Sequence, residues 1–234
     1  MTKKQFIIIL FILLAVKGFA QKYEFGLGVG AGNYIGDIGQ EYYFNPNKLG
    51  GGLAFKSIFN PWFGARLNLN YYQLEANDLE SESLGRQVRK MAIDGYILDI
   101  SAGIEYNFLP RNPFIKHKRG QNFTPYMFTG IGLSSYNGKL YKRTAAVSKY
   151  SGAAFNIPMI LGFKYQFAPH LLFSVEAGAR YFFTDNLDGT EFYYGDTENL
   201  TIIPSGNPNS NDWHTFTFIS LIYTFGDLTC YFNL

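Results

Sequence analysis

The residues best equipped for chemistry stand near the end of the chain. Asp212, Trp213 and His214 are consecutive, and Ser210 is two positions before them. A histidine held by an acid can serve as general base towards a serine hydroxyl. Asp212 and His214 lie two apart, so on one extended strand both face the same side. Nothing in the spacing fixes the nucleophile, and a catalytic set must converge within hydrogen-bond reach. His117 and His170 belong to the opposite end of the strand pattern set out below. The same C-terminal stretch holds Asp185, Asp188, Glu191, Asp196 and Glu198. Carboxylates can hold calcium, but the D-x-[DN]-x-[DN]-G order of a calcium loop is missing, so a solvated acidic loop is the better reading. Gly26 and Gly28 begin a G-x-G-x-x-G nucleotide loop, but Ala31 stands where its last glycine belongs, and no helix pattern follows. Cys230 is the single cysteine, which excludes an internal disulfide and a Cys/His zinc cluster. The expectation is a chain without catalytic, metal or cofactor-binding residues, and not an enzyme.

The charges that remain sit in alternating runs. In residues 63–72, Phe63, Ala65, Leu67, Leu69 and Tyr71 share one parity, against Gly64, Arg66, Asn68, Asn70 and Tyr72. In residues 96–108, Tyr96, Leu98, Ile100, Ala102, Ile104, Tyr106 and Phe108 oppose Asp99, Ser101, Gly103, Glu105 and Asn107. A soluble sandwich turns the apolar face inward. Here the polar face is rich in glycine and in both signs of charge, the pattern of a membrane β-barrel with lipid outside and a narrow lumen inside. Composition agrees: 23 Phe and 18 Tyr, 16% charged residues and a mean hydropathy of −0.06. The inward parity collects Glu24, Lys56, Arg66, Asp99, Glu105, Lys164, Glu176 and Arg180, four acids and four bases. An isolated buried charge costs several kcal/mol, so these should pair across the lumen. A selective channel is the functional alternative. Eight strands leave an interior just wide enough for side chains, which favours a plugged lumen.

The pattern gives eight strands, at about 22–32, 51–59, 63–75, 95–108, 124–133, 155–167, 171–184 and 213–225. Short turns at 60–62 and 168–170 alternate with long connections at 33–50, 76–94, 134–150 and 185–212. Bacterial barrels keep short turns periplasmic and long loops outside, so both termini should be periplasmic. The fold class expected is all-β, an eight-stranded antiparallel transmembrane β-barrel.

The N-terminus sets the compartment. Lys3 and Lys4 precede an uncharged run from Phe6 to Val16, and Gly18-Phe19-Ala20 has the small-x-small form of a cleavage site. This predicts a cleaved signal peptide over 1–20 and an outer-membrane barrel over 21–234. Loss of Lys3, Lys4 and Lys17 takes the net charge from +2 to 2 − 3 = −1. Nothing suggests nucleic acid or a small-molecule substrate as partner; lipid bilayer and lipopolysaccharide are the expected surroundings.

Several strings carry a family resemblance. They are Asn33-Tyr34-Ile35-Gly36-Asp37-Ile38-Gly39, then Asn45-Pro46-Asn47, then Asn60-Pro61 with Arg66. Thr124-Pro125-Tyr126 with Gly130-Ile131-Gly132, Ile157-Pro158 with Gly162-Phe163-Lys164-Tyr165, and Arg180-Tyr181 with Thr184-Asp185 follow in order. The chain resembles the PorG family, outer-membrane barrels of the type IX secretion system in Bacteroidota. The resemblance implies a non-catalytic barrel, OmpA/OmpX-like in size, associated with a periplasmic ring of PorK-like and PorN-like proteins. Physics adds a surface for such a partner. The connection 109–123 is too long for a hairpin turn and carries Arg111, Phe114, Lys116, Lys118 and Arg119. On the periplasmic side it is the largest element a ring could touch. The alternative is a free-standing small barrel of the OmpA or OmpX type, serving adhesion or envelope integrity.

Overall fold

The computed structural model describes residues 22–40, 42, 45, 48–110, 122–142, 145–189 and 211–226, with the backbone alone for 145–147. The expected signal peptide, Cys230 and the contact candidates Arg111, Phe114, Lys116, Lys118 and Arg119 lie outside these residues. The described residues form eight strands: β1 (Lys22–Ile35), β2 (Lys48–Ile58), β3 (Phe63–Asn77), β4 (Met91–Asn107), β5 (Phe123–Lys142), β6 (Ala145–Ala168), β7 (Leu171–Phe182) and β8 (Trp213–Phe225). Each pairs antiparallel with its sequence neighbours, and β1 pairs with β8, which closes the sheet. β3 and β4 are neighbours, with Phe63 opposite Tyr106 and Leu69 opposite Ile100.

The register fixes the shape. A row of partners starting at Phe183 runs through Phe155, Leu133, Ile100, Leu69, Leu53, Leu27 and Leu221. It returns to β7 at Phe173, ten positions from its start (183 to 173). Eight strands with a shear of ten tilt by about 40° and enclose a lumen that side chains can fill. That row is also entirely apolar and entirely outward. Val29, Leu27, Leu67, Leu69, Leu98, Ile100, Ile131, Leu161 and Ile219 are all exposed, whereas the charged residues on the other parity are buried. Exposed leucines are ordinary singly, but a continuous belt of them is stable only in lipid. Aromatic residues border the belt. Tyr23 stacks on Phe55 and Phe225, and Phe63 packs on Tyr106, at the short-turn end. Tyr71 stacks on Tyr96, and Tyr181 meets Trp213, at the loop end. These are the two interfacial girdles of a membrane barrel.

Inside, small residues admit the curvature. Gly103 faces Gly130 across β4 and β5. A Cβ on Gly103 would stand 2.7 Å from the Gly130 Cα, so neither position accepts a side chain without parting the strands.

Three connections differ from their sequence reading. The stretch 134–150, expected as a long outer loop, is mostly strand: β5 and β6 run on as a paired hairpin up to Lys142 and Ala145. The expected strands 124–133 and 155–167 are therefore only the membrane part of longer ones. The reason is that inward residues beyond the membrane, Tyr136, Leu140 and Tyr150, find an apolar core to join. The expected loop 76–94 gives its last residues to β4 and folds into a 3-10 turn (Asp78–Glu80) and a short helix, α1 (Leu84–Arg89). The first connection is also shorter than 33–50, because β1 reaches Ile35 and β2 starts at Lys48.

Candidate functional site

All eight predicted lumen charges point inward and are buried, none more than 8% exposed. Six of them form one cluster near the short-turn end. Glu105, on β4, is fully buried and takes three cations: Lys56 from β2, Lys164 from β6 and Arg66 from β3 at 3.3 Å. Glu24, on β1, lies 3.2 Å from Lys164 and 3.8 Å from Lys56. Glu176, on β7, receives the Arg66 guanidinium through both Nη atoms, at 2.7 and 3.1 Å, and also the Tyr126 hydroxyl. Arg66 Nε donates to Asn68 at 2.6 Å. Three acids and three bases from six strands thus neutralise one another, as buried charges must.

The remaining two charges form a second layer. Asp99 accepts from Ser134 and from Asn156, each at 2.8 Å, and lies 3.2 Å from Arg180 Nε. The Arg180 guanidinium rests over Phe216 at 4.3 Å and Tyr72 at 4.8 Å. Cation–π contact contributes most where water is excluded. Sequence reading placed the charges but missed these neutral partners. Ser134, Asn156, Asn68 and Tyr126 lie on the inward parity, a signal that tells where they point but not whom they meet.

Above this layer an apolar cluster fills the lumen, with the buried carboxylates of Asp188 and Asp212 at the same end. Tyr34, Ile38, Leu74, Met91, Ile93, Ile97, Tyr136, Leu140, Tyr150, Phe182 and Leu187 pack into one buried cluster at the loop end. Two connections are pinned over it. Asp78 accepts from Arg89 at 2.8 and 3.0 Å, from the Met91 amide at 3.0 Å and from the Gly39 amide at 3.2 Å. Arg86 donates to the carbonyls of Gly39 and Gly36, and Arg89 to that of Asp37. Gly39 adopts φ +95°, a left-handed conformation natural to glycine.

The open space left in the charged layers is small. Cavities of about 20 Å³ lie beside Arg180 and beside Glu24, each room for about one water. Such a barrel should pass no steady current. Planar-bilayer recordings of the purified protein are expected to show none, and reproducible, concentration-dependent conductance would contradict the sealed lumen.

The suspected catalytic fragment is taken apart by the fold. Asp212 lies at the loop end, where the Tyr34 hydroxyl and the Leu187 amide donate to it at 2.8 and 3.0 Å. His214 points into the lumen, edge-on to Tyr72 at 4.5 Å and stacked on Phe216 at 6.1 Å. Ser210 lies outside the described residues. His170 sits at the short-turn end, its Nδ1 2.9 Å from the Thr224 carbonyl. Among the described residues no group of three His, Cys, Asp or Glu side chains is placed to hold a metal ion.

Asp212 does carry a pH dependence. Burial first, and then the Asp188 carboxylate, push its carboxyl well above the usual range; the Tyr34 and Leu187 bonds pull the other way. A carboxyl raised in the folded state contributes its full stability below its unfolded value and loses it as pH rises through the folded one. Folding stability should therefore fall as pH rises through that range. The urea midpoint of the detergent-folded barrel is expected to fall with increasing pH, and Asp212→Asn should flatten the trend. A flat profile in the parent protein would sink this account.

Comparison with known proteins places the chain in a family. Residues 3–233 match the model described as "Domain of unknown function (DUF6089)". The chain belongs to the DUF6089 family. No curated protein matches the DUF6089 chain in sequence. Its fold is similar to that of a major outer membrane protein from Thermus thermophilus, at 16% identity and a TM-score of 0.52 over 88% of this chain and 100% of that one. It is similar also to Neisserial surface protein A, at 9% identity and a TM-score of 0.51 over 87% and 97%. Ail of Yersinia pestis, at 13% identity, aligns over 88% and 100% with a TM-score of 0.47. The closed sheet, its lipid belt and its two girdles make the DUF6089 chain a small β-barrel of the outer membrane.

Proposed function

We propose that this barrel is a membrane anchor, an outer-membrane subunit of the type IX protein secretion machinery that associates with a periplasmic ring of PorK-like and PorN-like proteins. The observation that carries this reading is the sealed lumen. A barrel filled by ion pairs below and by an apolar plug above has no path for a substrate. What it offers is a body that cannot be drawn out of the bilayer, because every backbone group of a closed sheet is bonded within it. Its role then lies in what it holds. The reading is non-catalytic, in keeping with Asp212 and His214 being engaged with different neighbours. The strings that resemble the PorG family sit in this framework: Tyr34 and Ile38 in the plug, Arg66, Lys164 and Arg180 in the lumen. They support the shared architecture, and leave the ring contact to the short-turn end, where 109–123 supplies Arg111, Phe114, Lys116, Lys118 and Arg119.

The test is a pull-down of the full chain from native membranes in mild detergent, with partners identified by mass spectrometry. Periplasmic ring proteins are the expected result; their absence would overturn the reading. The alternative, a free-standing barrel for adhesion or envelope integrity, has one observation of its own. α1 turns Leu84 and Val88 outward, 77% and 79% exposed, beside Leu79 at 59%. Capture of surface ligands through this loop end, without ring proteins, would favour it.

A further inference from the structure

The outer face of the β5–β6 hairpin changes character as it leaves the membrane. Leu133 and Phe155 are opposed in the apolar belt; Ser135 faces Ala153 one step higher, and Asn137 faces Ser151 above that. The next outward pair is Lys139 opposite Lys149. Both are exposed, and among the described residues neither has a carboxylate within ion-pair distance. Asp94 is the β4 partner of Lys139 in the same row, and Lys142 follows at the hairpin end. Like charges directly opposite on a sheet repel and destabilise the pair. Glu75 is the β3 partner of Asp94, and it already holds a contrasting lysine, Lys48 at the loop end of β2, at 2.6 Å.

Height decides what can reach the pair. A strand tilted by about 40° climbs roughly 2.5 Å along the membrane normal per residue. Phe163 to Ala153 is thus about 25 Å, the height of the apolar belt in this class of barrel. Lys149 then lies about four residues, roughly 10 Å, beyond the edge of the hydrocarbon. Headgroups occupy roughly the first 5–8 Å there, and lysine stems bend towards them. The pair stands just above that layer on the outer face of the sheet, within reach of it through the lysine stems. With short turns periplasmic, the layer belongs to the outer leaflet.

We infer that Lys139 and Lys149 form a binding site for the phosphate of an outer-leaflet glycolipid headgroup, with Asn137 and Ser151 below them as hydrogen-bonding partners for its sugar. The phosphate bridges two cations that otherwise repel, and Asp94 sets the limit of the site on the β4 side. The inference goes beyond the anchoring role and stands whether or not a ring is bound, since it needs only the fold and its orientation.

The test uses the full-length protein in nanodiscs of zwitterionic lipid doped with labelled bisphosphorylated lipid A, with binding measured by lipid retention and native mass spectrometry. Lys139→Gln/Lys149→Gln should weaken retention at least tenfold, about thirtyfold at the strength typical of a lysine at an anionic membrane surface. Lys48→Gln, at the same loop end but already paired with Glu75, should leave it unchanged. Dephosphorylated lipid A should be retained no better than the double variant retains the phosphorylated form, and millimolar inorganic phosphate should not compete. Heat-modifiable migration of both variants establishes that the barrel is intact. Equal retention by the double variant overturns the site. Equal loss with Lys48→Gln reduces it to general surface charge and overturns it too. Displacement by inorganic phosphate overturns the assignment to lipid.

Discussion

Replacing Glu105 with leucine should lower the unfolding free energy by about 3–5 kcal/mol, the usual loss when one partner of a buried ion pair is removed. Glu105 is the acid that three bases share. Without it, the six-charge cluster keeps three cations against Glu24 and Glu176, and Lys56 keeps only a 3.8 Å approach to Glu24. The lumen offers the stranded charge about one water's room, so solvation replaces little of what is lost. Glu105→Gln preserves shape and one acceptor, and should fall between the parent and leucine. Glu105→Leu combined with Lys56→Met removes a pair together and should recover much of the loss, because exchanging a buried pair for apolar residues is often neutral. Urea titration of the detergent-folded barrel, followed by gel mobility, measures all three. A Glu105→Leu barrel within about 1 kcal/mol of the parent would mean that the cluster is not what holds the lumen together.

The second large effect is functional. Exchanging 109–123 for a two-residue Asn-Gly turn should leave a folded barrel and abolish ring co-purification and secretion. The fold should survive because the edges of this connection are tied to the sheet. The Phe108 amide donates to the Pro125 carbonyl at 2.9 Å, and both of these residues lie outside the exchanged segment. Shortening a surface loop changes closure entropy only slowly, and Asn-Gly suits a tight hairpin. Partner binding should not survive. Arg111, Lys116, Lys118 and Arg119 would steer an acidic surface and Phe114 would supply an apolar contact, the usual division between charged rim and buried anchor. Pro113 restricts the free loop, so less ordering is left to binding. Heat-modifiable migration checks the fold, and quantitative pull-down checks the partners. Normal recovery of ring proteins with the shortened turn would move the handle to the chain termini.

How far the sequence alone reaches can be judged from single residues. Arg66, Asp99 and Arg180 were legible as lumen residues because side chains alternate by covalent geometry, and one apolar face of a strand is enough to orient the other. The same periodicity located the membrane parts of all eight strands. It also suggested that the charges pair, since four acids and four bases cannot be buried singly. It could not say that Glu105 serves three bases while Asp99 takes Arg180 alone. Those partners come from β2, β3, β4 and β6 in one case and from β4 and β7 in the other, and depend on the ten-residue shear of the closed sheet. The hairpin over 134–150 was missed for a related reason. Tyr136, Leu140 and Tyr150 become core only when Ile38 and Leu187 arrive from distant connections. Lys139 and Lys149 stand ten positions apart in the chain, and only the β5–β6 register sets them opposite each other. Parity is a local property that each strand carries by itself, whereas the ion-pair partners, the plug and the paired lysines arise from closure, which joins positions far apart in the chain and is settled by the whole barrel at once.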